Sequence, residues 1–506
     1  MKAWFEGDAT AMAQAIVRGE FSAAVALQRT VQGLREHGAE LNGVALWCSE
    51  LGFEQADQLD AELGTCTDDA ARDALLQRRP FFGVPLLLKD VGPASAHPGI
   101  PSRMGSRLFG EAGRRWPQMG TLTQRYLDAG FVPFGRSTSP EMGISASTEA
   151  LAYGGPTRNP WSLAHSAGGS SGGAAALTAA GLVSIAHAND GAGSIRIPAS
   201  CCGLIGLKPS RGLMPMGPLA GEAWGGLATD HMLTRTVRDC ALALDLSAGA
   251  DPGAPYAAPP RPASFVDALQ VPLRSLRIAL CTSFFEGDAV HPEVAARVRA
   301  FGLLLQQLGH HVDEARPALA TLEIVRPLMQ LVASGTAMTL EGIATSRGRA
   351  IAQDEVEPVT FGALKVGQGI SGAQLLGSVH ALHMLGRRMA VFHQRYDVLL
   401  TPVLAEPPPL IGRFAMNNPD FTDYRLGPAG LWRYSPFAPL ANATGTPSLS
   451  LPAGLSADGL PIGAMLSAAF GEDAMLLRLA AQWESAFPPT SALAPWARMS
   501  TKSTPR

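Results

Sequence analysis

The stretch His165–Ser200, HSAGGSSGGAAALTAAGLVSIAHANDGAGSIRIPAS, decides how this chain is read. Gly168, Gly169, Gly172, Gly173, Gly191 and Gly193 surround three hydroxyls, those of Ser170, Ser171 and Ser194. Ordering a glycine costs more backbone entropy than ordering any other residue, so glycines at this density imply a flexible linker or a backbone that must approach something closely. The run Ala174–Ala180 reads as a short alanine-rich helix ended by Gly181, which makes GGSSGG the loop feeding a helix N-terminus. LVSIAHAND then reads as a strand and GAGS as the turn after it. Two glycine turns joined by one helix and one strand can fold back on each other, bringing Ser170 or Ser171 near Ser194.

A serine hydrolase needs an exposed hydroxyl, donors for the oxyanion and a base. The consecutive amides of Gly191, Ala192, Gly193 and Ser194, with little side chain over them, suit a nest around a carbonyl oxygen. For the base there are three candidates. His165 and His187 flank the stretch, but neither sits in a G-x-S-x-G elbow or in a recognisable histidine–acid arrangement. Lys89 ends the apolar run PFFGVPLLLKD; a lysine delivered into a low-dielectric pocket loses its charge and can take a proton from a hydroxyl. Singly, each feature has a plain reading: a linker, a solvated Lys-Asp pair, structural histidines. A phosphate-binding loop is disfavoured because G-x-x-x-x-G-K-[ST] is absent.

Working outward, the 506 residues are 46% hydrophobic and 16% charged, ordinary for a globular protein, and their number allows either two domains or one large sheet with embellishments. The net charge of −3 gives no electrostatic footprint for nucleic acid or an anionic membrane. MKAWFEGDATAMAQAIVRGEFS reads as neither a signal nor a transit peptide, and no window reaches the roughly 18 apolar residues of a membrane span, so a cytoplasmic location is expected. Cys48, Cys66, Cys201, Cys202, Cys240 and Cys281 are scattered without CxxC spacing, which argues against a metal site and against disulfides.

Apolar spacing from Thr10 to Glu36 predicts opening helices. From Phe81 the texture becomes short apolar runs bounded by Gly and Pro: GVPLLLKD, GFVPFG, LVSIAHAND, LRIALC, YDVLLTPV, SLSLPAG and PIGAMLSA. These read as buried strands of one sheet covered on both faces. Between LRIALC and HHVDEA lies HPEVAARVRAFGLLLQQLG, a helix pattern with Gly309 at its stop, and the resulting strand-helix-strand unit favours α/β architecture. The expected organisation is a single unit over 1–506, with a helical segment at 1–75, a catalytic core at 76–246, an internal connection at 247–265, a continuation of the same sheet at 266–490 and a disordered tail at 499–506.

Taken together, GGSSGG followed by Asp190-Gly-Ala-Gly-Ser-Ile-Arg-Ile-Pro resembles the amidase signature family, and 24 positions from Ser170 to Ser194 match its spacing. GRSTSPEMG, GGPTRNPW, CGLIGLKPSRG and NATGTPSLSLPAGLSADGLPIG are similar to family blocks in family order, so the resemblance covers nearly the whole chain. It implies an α/β fold with a large mixed central β-sheet between helices, and an amidase that needs no cofactor or metal. By the same resemblance Lys89 would be the general base, Ser170 a bridging serine on a cis peptide after Gly169, and Ser194 the acylated nucleophile. Gly191, Ala192, Gly193 and Ser194 would supply oxyanion donors, while Gly169, Ser171, Asp190 and Arg196 would support the loops. Ala167 stands where many members have proline, and Ala192 replaces the commoner glycine; neither removes an amide donor.

Within the family, YGGPTRNPW, AHANDGAGSIRIPAS and GLKPSRG are most similar to bacterial amidases of the 6-aminohexanoate-cyclic-dimer type. The expected partner is a small aliphatic, aryl or 6-aminohexanoate-type amide, with a homodimer expected by analogy. The alternative is a glutamine-hydrolysing subunit of a tRNA-dependent amidotransferase, against which Ile197 counts because such subunits often carry glutamine there. Selectivity is expected from VGPASAHPGIPSRMGSRLF, GPLAGEAWGG and AMNNPDFTDYRLGPAGLWRYSPF. In the last, Phe421, Tyr424, Trp432, Tyr434 and Phe437 either wall a substrate channel or pin a loop to the core.

Overall fold

The computed structural model describes residues 3–486 and 493–498, so the tail expected at 499–506 lies outside the described residues. The chain opens with the expected helices, Ala9–Val17 and Ala23–His37, whose first turns are capped by the side chains of Asp8 and Ser22. Thirteen strands follow in the described residues: β1 (Val44–Trp47), β2 (Pro85–Lys89), β3 (Val132–Ser137), β4 (Arg158–Asn159), β5 (Ser162–Ser166), β6 (Ala186–Asp190), β7 (Ile205–Lys208), β8 (Thr229–Thr234), β9 (Arg277–Leu280), β10 (His311–Glu314), β11 (Val398–Pro402), β12 (Ser448–Leu455) and β13 (Pro461–Ala468).

Eight of them form a mixed sheet in the order β10-β9-β11-β13-β12-β7-β8-β6. The β10-β9-β11 end is parallel and the remaining pairs are antiparallel. The helix Pro292–Gln307 joins β9 to β10 as its apolar spacing requires, burying Val294, Val298, Phe301 and Leu305; Gly309 follows with φ +90°. Helices Gly172–Ala179, Arg196–Cys202, Val237–Ser247 and Asp473–Ala486 also pack on the sheet. One continuous apolar core runs from Ala9 to Trp496, and no helix among the described residues is long and apolar enough to cross a membrane.

The expectation of one sheet needs a correction. GVPLLLKD and GFVPFG form β2 and β3, but these belong with β1 to a separate three-stranded sheet of order β1-β3-β2. β2 lies against β6, the edge of the large sheet. There the Lys89 backbone N–H donates to the ring Nδ1 of His187, on β6, at 3.1 Å. A side chain takes the place of a ladder bond, so two sheets meet where the sequence pattern reads as one.

The glycines of GGSSGG answer to close packing. A Cβ on Gly173 would stand 2.5 Å from the Thr138 amide nitrogen and 2.6 Å from the Gly43 carbonyl oxygen, both backbone atoms that a rotamer change cannot move. Gly173→Ala is therefore expected to destabilise the fold by about 1–3 kcal/mol, as overpacking does. The urea midpoint of the variant against wild type checks this; an unchanged midpoint would show that the loop has slack.

Candidate active site

Lys89 is the last residue of β2 and fully buried. Its Nζ donates to Ser170 Oγ at 2.7 Å and to the Asn189 carbonyl at 3.1 Å. The main chain on either side is fixed as well: the Lys89 carbonyl accepts from Arg136 Nη1 at 3.0 Å, while its N–H occupies His187 Nδ1. Because Nδ1 must accept, the neutral ring carries its proton on Nε2, which donates to Asp230 Oδ1 at 3.1 Å. Burial pulls the Lys89 ammonium down to about 7, against the Asp230 and Asp190 carboxylates, which act to raise it. Near neutral pH the amine is thus neutral in a large fraction of molecules, and in that form its lone pair can accept the Ser170 hydroxyl proton across the same 2.7 Å contact.

The second turn is wound around a carboxylate. Asp190 ends β6 and is fully buried. Its Oδ1 accepts from the amide of Gly193 at 2.6 Å, from Arg196 Nη2 at 3.0 Å and from Asn442 Nδ2 at 2.9 Å. Its Oδ2 accepts from the Ile195 amide at 3.1 Å and from Arg196 Nε at 3.0 Å. Burial alone would raise this carboxyl, but Arg196 and the surrounding donors hold it well below the usual carboxylate range. Arg196 also donates to the Ala438 carbonyl at 2.8 Å and to Asn442 Oδ1 at 2.6 Å. Ser171 joins the first turn to the same strand, with its Oγ donating to the Asn189 carbonyl at 3.2 Å. The Gly169–Ser170 peptide is cis.

This arrangement changes the donor set expected for an oxyanion. The Gly193 N–H already belongs to Asp190, so the four amides reduce to three. Among the described residues those of Gly191, Ala192 and Ser194 have no protein acceptor. Gly193 serves geometry instead, with φ +120° and a Cβ position 2.9 Å from the Ala438 methyl.

Ser194 opens into a pocket walled by Ile144, Trp224, Leu328, Met329 and Trp432. Gly143 lines the same pocket, and its Cβ position lies 3.5 Å from Ser170 Oγ, which places the Lys89–Ser170 pair directly behind the wall. Of Phe421, Tyr424, Trp432, Tyr434 and Phe437 in AMNNPDFTDYRLGPAGLWRYSPF, Trp432 alone lines the pocket. Phe421, Tyr424, Tyr434 and Phe437 are buried and pin the segment to the core. Tyr424 does so partly through a 2.6 Å bond to Ser145. The segment is thus both wall and anchor, divided residue by residue.

His165 bonds Ser162 on its own strand. Arg136, Asp230 and Asn442 were not singled out by sequence reasoning. A signal existed for Arg136, a lone charge in the apolar run of β3; it is fully buried and donates to the carbonyls of Lys89, Ser95, Ile100 and Pro101. Asp230 and Asn442 carried no local signal, because each acts across more than forty positions of chain. Among the described residues no group of three or more His, Cys, Asp or Glu could hold a metal ion.

Fold and family relationships together define a class, the hydrolases of amide C–N bonds. The chain belongs to the amidase family, whose model, described as Amidase, matches residues 30–477. It is 34% identical over 488 residues to a 6-aminohexanoate-cyclic-dimer hydrolase of Pseudomonas sp. (strain NK87), covering 95% of each chain. A solved structure of 6-aminohexanoate cyclic dimer hydrolase superposes with a TM-score of 0.86 at 32% identity, covering 97% of this chain and 99% of the other. A bacterial aryl acylamidase of the amidase signature family superposes with a TM-score of 0.85 at 26% identity, covering 96% and 97%.

Removing Arg196 would leave Asp190 ionised and buried with only amide donors. Arg196→Met is expected to cost about 3–5 kcal/mol of stability, the usual result of breaking a buried pair from one side. Denaturant unfolding of the variant measures this, and a loss below 1 kcal/mol would mean that the amides and Asn442 suffice.

Proposed function

We propose that the protein hydrolyses small amides through an acyl-serine intermediate on Ser194, with Ser170 as proton relay and Lys89 as general base. The observation that carries this reading is the 2.7 Å contact between Ser170 Oγ and a fully buried Lys89 whose proton affinity has fallen to about 7.

Neutral Lys89 takes the Ser170 proton as Ser170 takes that of Ser194, and Ser194 Oγ bonds to the amide carbon. The oxyanion receives hydrogen bonds from the N–H groups of Gly191, Ala192 and Ser194, each worth about 10²–10³ in rate where such donors have been removed elsewhere. The proton on Lys89 returns through Ser170 to the departing nitrogen, and the C–N bond breaks to release the amine. Water, deprotonated by the same relay, then attacks the acyl carbon and frees the carboxylic acid and Ser194. Asp190 and Arg196 hold the turn in shape and exchange no proton.

The apolar walls of Ile144, Leu328, Met329 and Trp432 favour an aliphatic or aryl group beside the scissile bond. Together with the names of the relatives, this supports linear or cyclic 6-aminohexanoate-type amides, aliphatic amides and anilides as the substrate range.

Ser194→Ala is expected to lower turnover by roughly 10⁴-fold or more. The assay is amine or ammonia release from a panel of an aliphatic amide, an anilide, glutamine, and linear and cyclic 6-aminohexanoate dimers. Turnover of glutamine alone, or full activity in the variant, would overturn the proposal. The pH profile tests the base separately. Only neutral Lys89 accepts the proton, so kcat/KM should fall about tenfold per pH unit below about 7 and level off above it. Lys89→Ala should lose about 10²–10⁴ in rate and lose that limb as well; an acidic limb of the same midpoint in Lys89→Ala would assign it to another group.

A further inference from the structure

The pocket in front of Ser194 contains a cation without an anion. Arg425 lines it, on the short helix Phe421–Leu426, and among the described residues it forms no ion pair. One guanidinium nitrogen, Nη2, donates to the Ile144 carbonyl at 2.6 Å, and the group stands 5.2 Å above the Phe421 ring. Nε is closed off from solvent and has no acceptor. Ser435, in the same pocket, likewise has a buried hydroxyl with no partner. Burial lowers Arg425 only to about 10, so it remains charged at neutral pH. A half-buried cation with no anion beside it and a buried hydroxyl without a partner therefore share one cavity whose other walls are mostly apolar.

We infer that Arg425, with Ser435 in the same pocket, receives a carboxylate at the far end of the substrate, so that the protein prefers linear amides carrying a terminal carboxylate beyond an aliphatic spacer. This rests on the amidase reading of Ser194. The forked donors of a guanidinium match the two oxygens of a carboxylate, which a point charge would not. The guanidinium also stands close to the Lys89–Ser170 pair. From Ser170 Oγ to the Gly143 Cβ position is 3.5 Å, one peptide separates Gly143 from Ile144, and Arg425 Nη2 lies 2.6 Å from the Ile144 carbonyl oxygen. Those steps put a ceiling of about 14 Å on the separation of the guanidinium from Ser170 Oγ, so a substrate reaching both ends needs no more than a short chain. The apolar residues between the two ends would contact that chain.

Two substrate pairs test this. In one the carboxylate sits on the amine side of the scissile bond, 6-acetamidohexanoate against 6-acetamidohexan-1-ol. In the other it sits on the acyl side, adipic acid monoamide against 6-hydroxyhexanamide. The quantity read is the ratio of kcat/KM for the acid to that for its neutral partner, by amine or ammonia release. In wild type the ratio should exceed 10 for one pair, and that pair identifies the side of the bond that faces Arg425. In Arg425→Gln the ratio should fall tenfold or more, with part of it restored in Arg425→Lys. A purely structural arginine would lower both members of a pair together, so a ratio that shifts by less than tenfold on both pairs overturns the inference. Should Arg425→Gln fail to fold, wild type decides: faster turnover of the neutral member in both pairs overturns it too. Absence of turnover for all four compounds and for the wider amide panel would instead overturn the amidase reading itself.

Discussion

The buried carboxylate of Asp190 is the constraint on which the site depends. It ends β6, and its two oxygens draw in the amides of Gly193 and Ile195, the guanidinium of Arg196 and the amide of Asn442. A charge this deep persists only when every lone pair is used, because desolvation costs several kcal/mol and is recovered only in good geometry. That requirement dictates the path of the turn: Gly193 and Ile195 must point their N–H groups inward, which leaves the N–H groups of Gly191, Ala192 and Ser194 free for another acceptor. The same ion pair reaches the far end of the chain, since Arg196 and Asn442 bond each other and Arg196 also bonds Ala438. A break there would therefore disturb the Gly191–Ser194 turn, the sheet edge and the pocket wall at once.

Lys89 poses the opposite problem, an amine that is buried without a counter-ion in contact. Its position at the end of a strand whose carbonyl is tied to Arg136 and whose amide is tied to His187 leaves the side chain little freedom. The nitrogen meets one hydroxyl and one backbone carbonyl, both neutral. Neutral partners satisfy the amine without stabilising its charge as a carboxylate would, and burial then lowers its proton affinity.

Much of this was legible in the sequence. Strands as short as AHAND and VLLTP stand out because Gly and Pro bound them, and the helix Pro292–Gln307 follows from apolar residues at helical spacing. The paired glycine turns stand out by their glycine density, and the resemblance of the combined motifs to the amidase signature family is what points to Ser170 and Ser194 as a site. Three features were not. The split into two sheets turns on the His187 side chain replacing a ladder bond, and apolar runs carry no mark of which strand lies beside which. The loss of Gly193 as a free donor depends on where Asp190 points, which the motif does not specify. Arg425 lies in a segment whose aromatics drew attention, and a charge beside them reads as solvent-facing until the cavity is seen.

His187 explains how Asp230 can lie near Lys89 without pairing with it. Asp230 is buried and its charge acts to keep Lys89 protonated. Direct contact between the two would form an ion pair and remove the neutral amine at physiological pH. The imidazole bonds the backbone of Lys89 on one side and Asp230 on the other. It therefore supplies that carboxylate with a donor while keeping it away from Nζ. Burial and the neighbouring Lys89 and Arg136 lower the affinity of the ring for a second proton, in spite of Asp230, which favours the neutral tautomer that this bridge requires. The histidine that the sequence offers as a candidate base thus sits as a neutral spacer between Asp230 and Lys89.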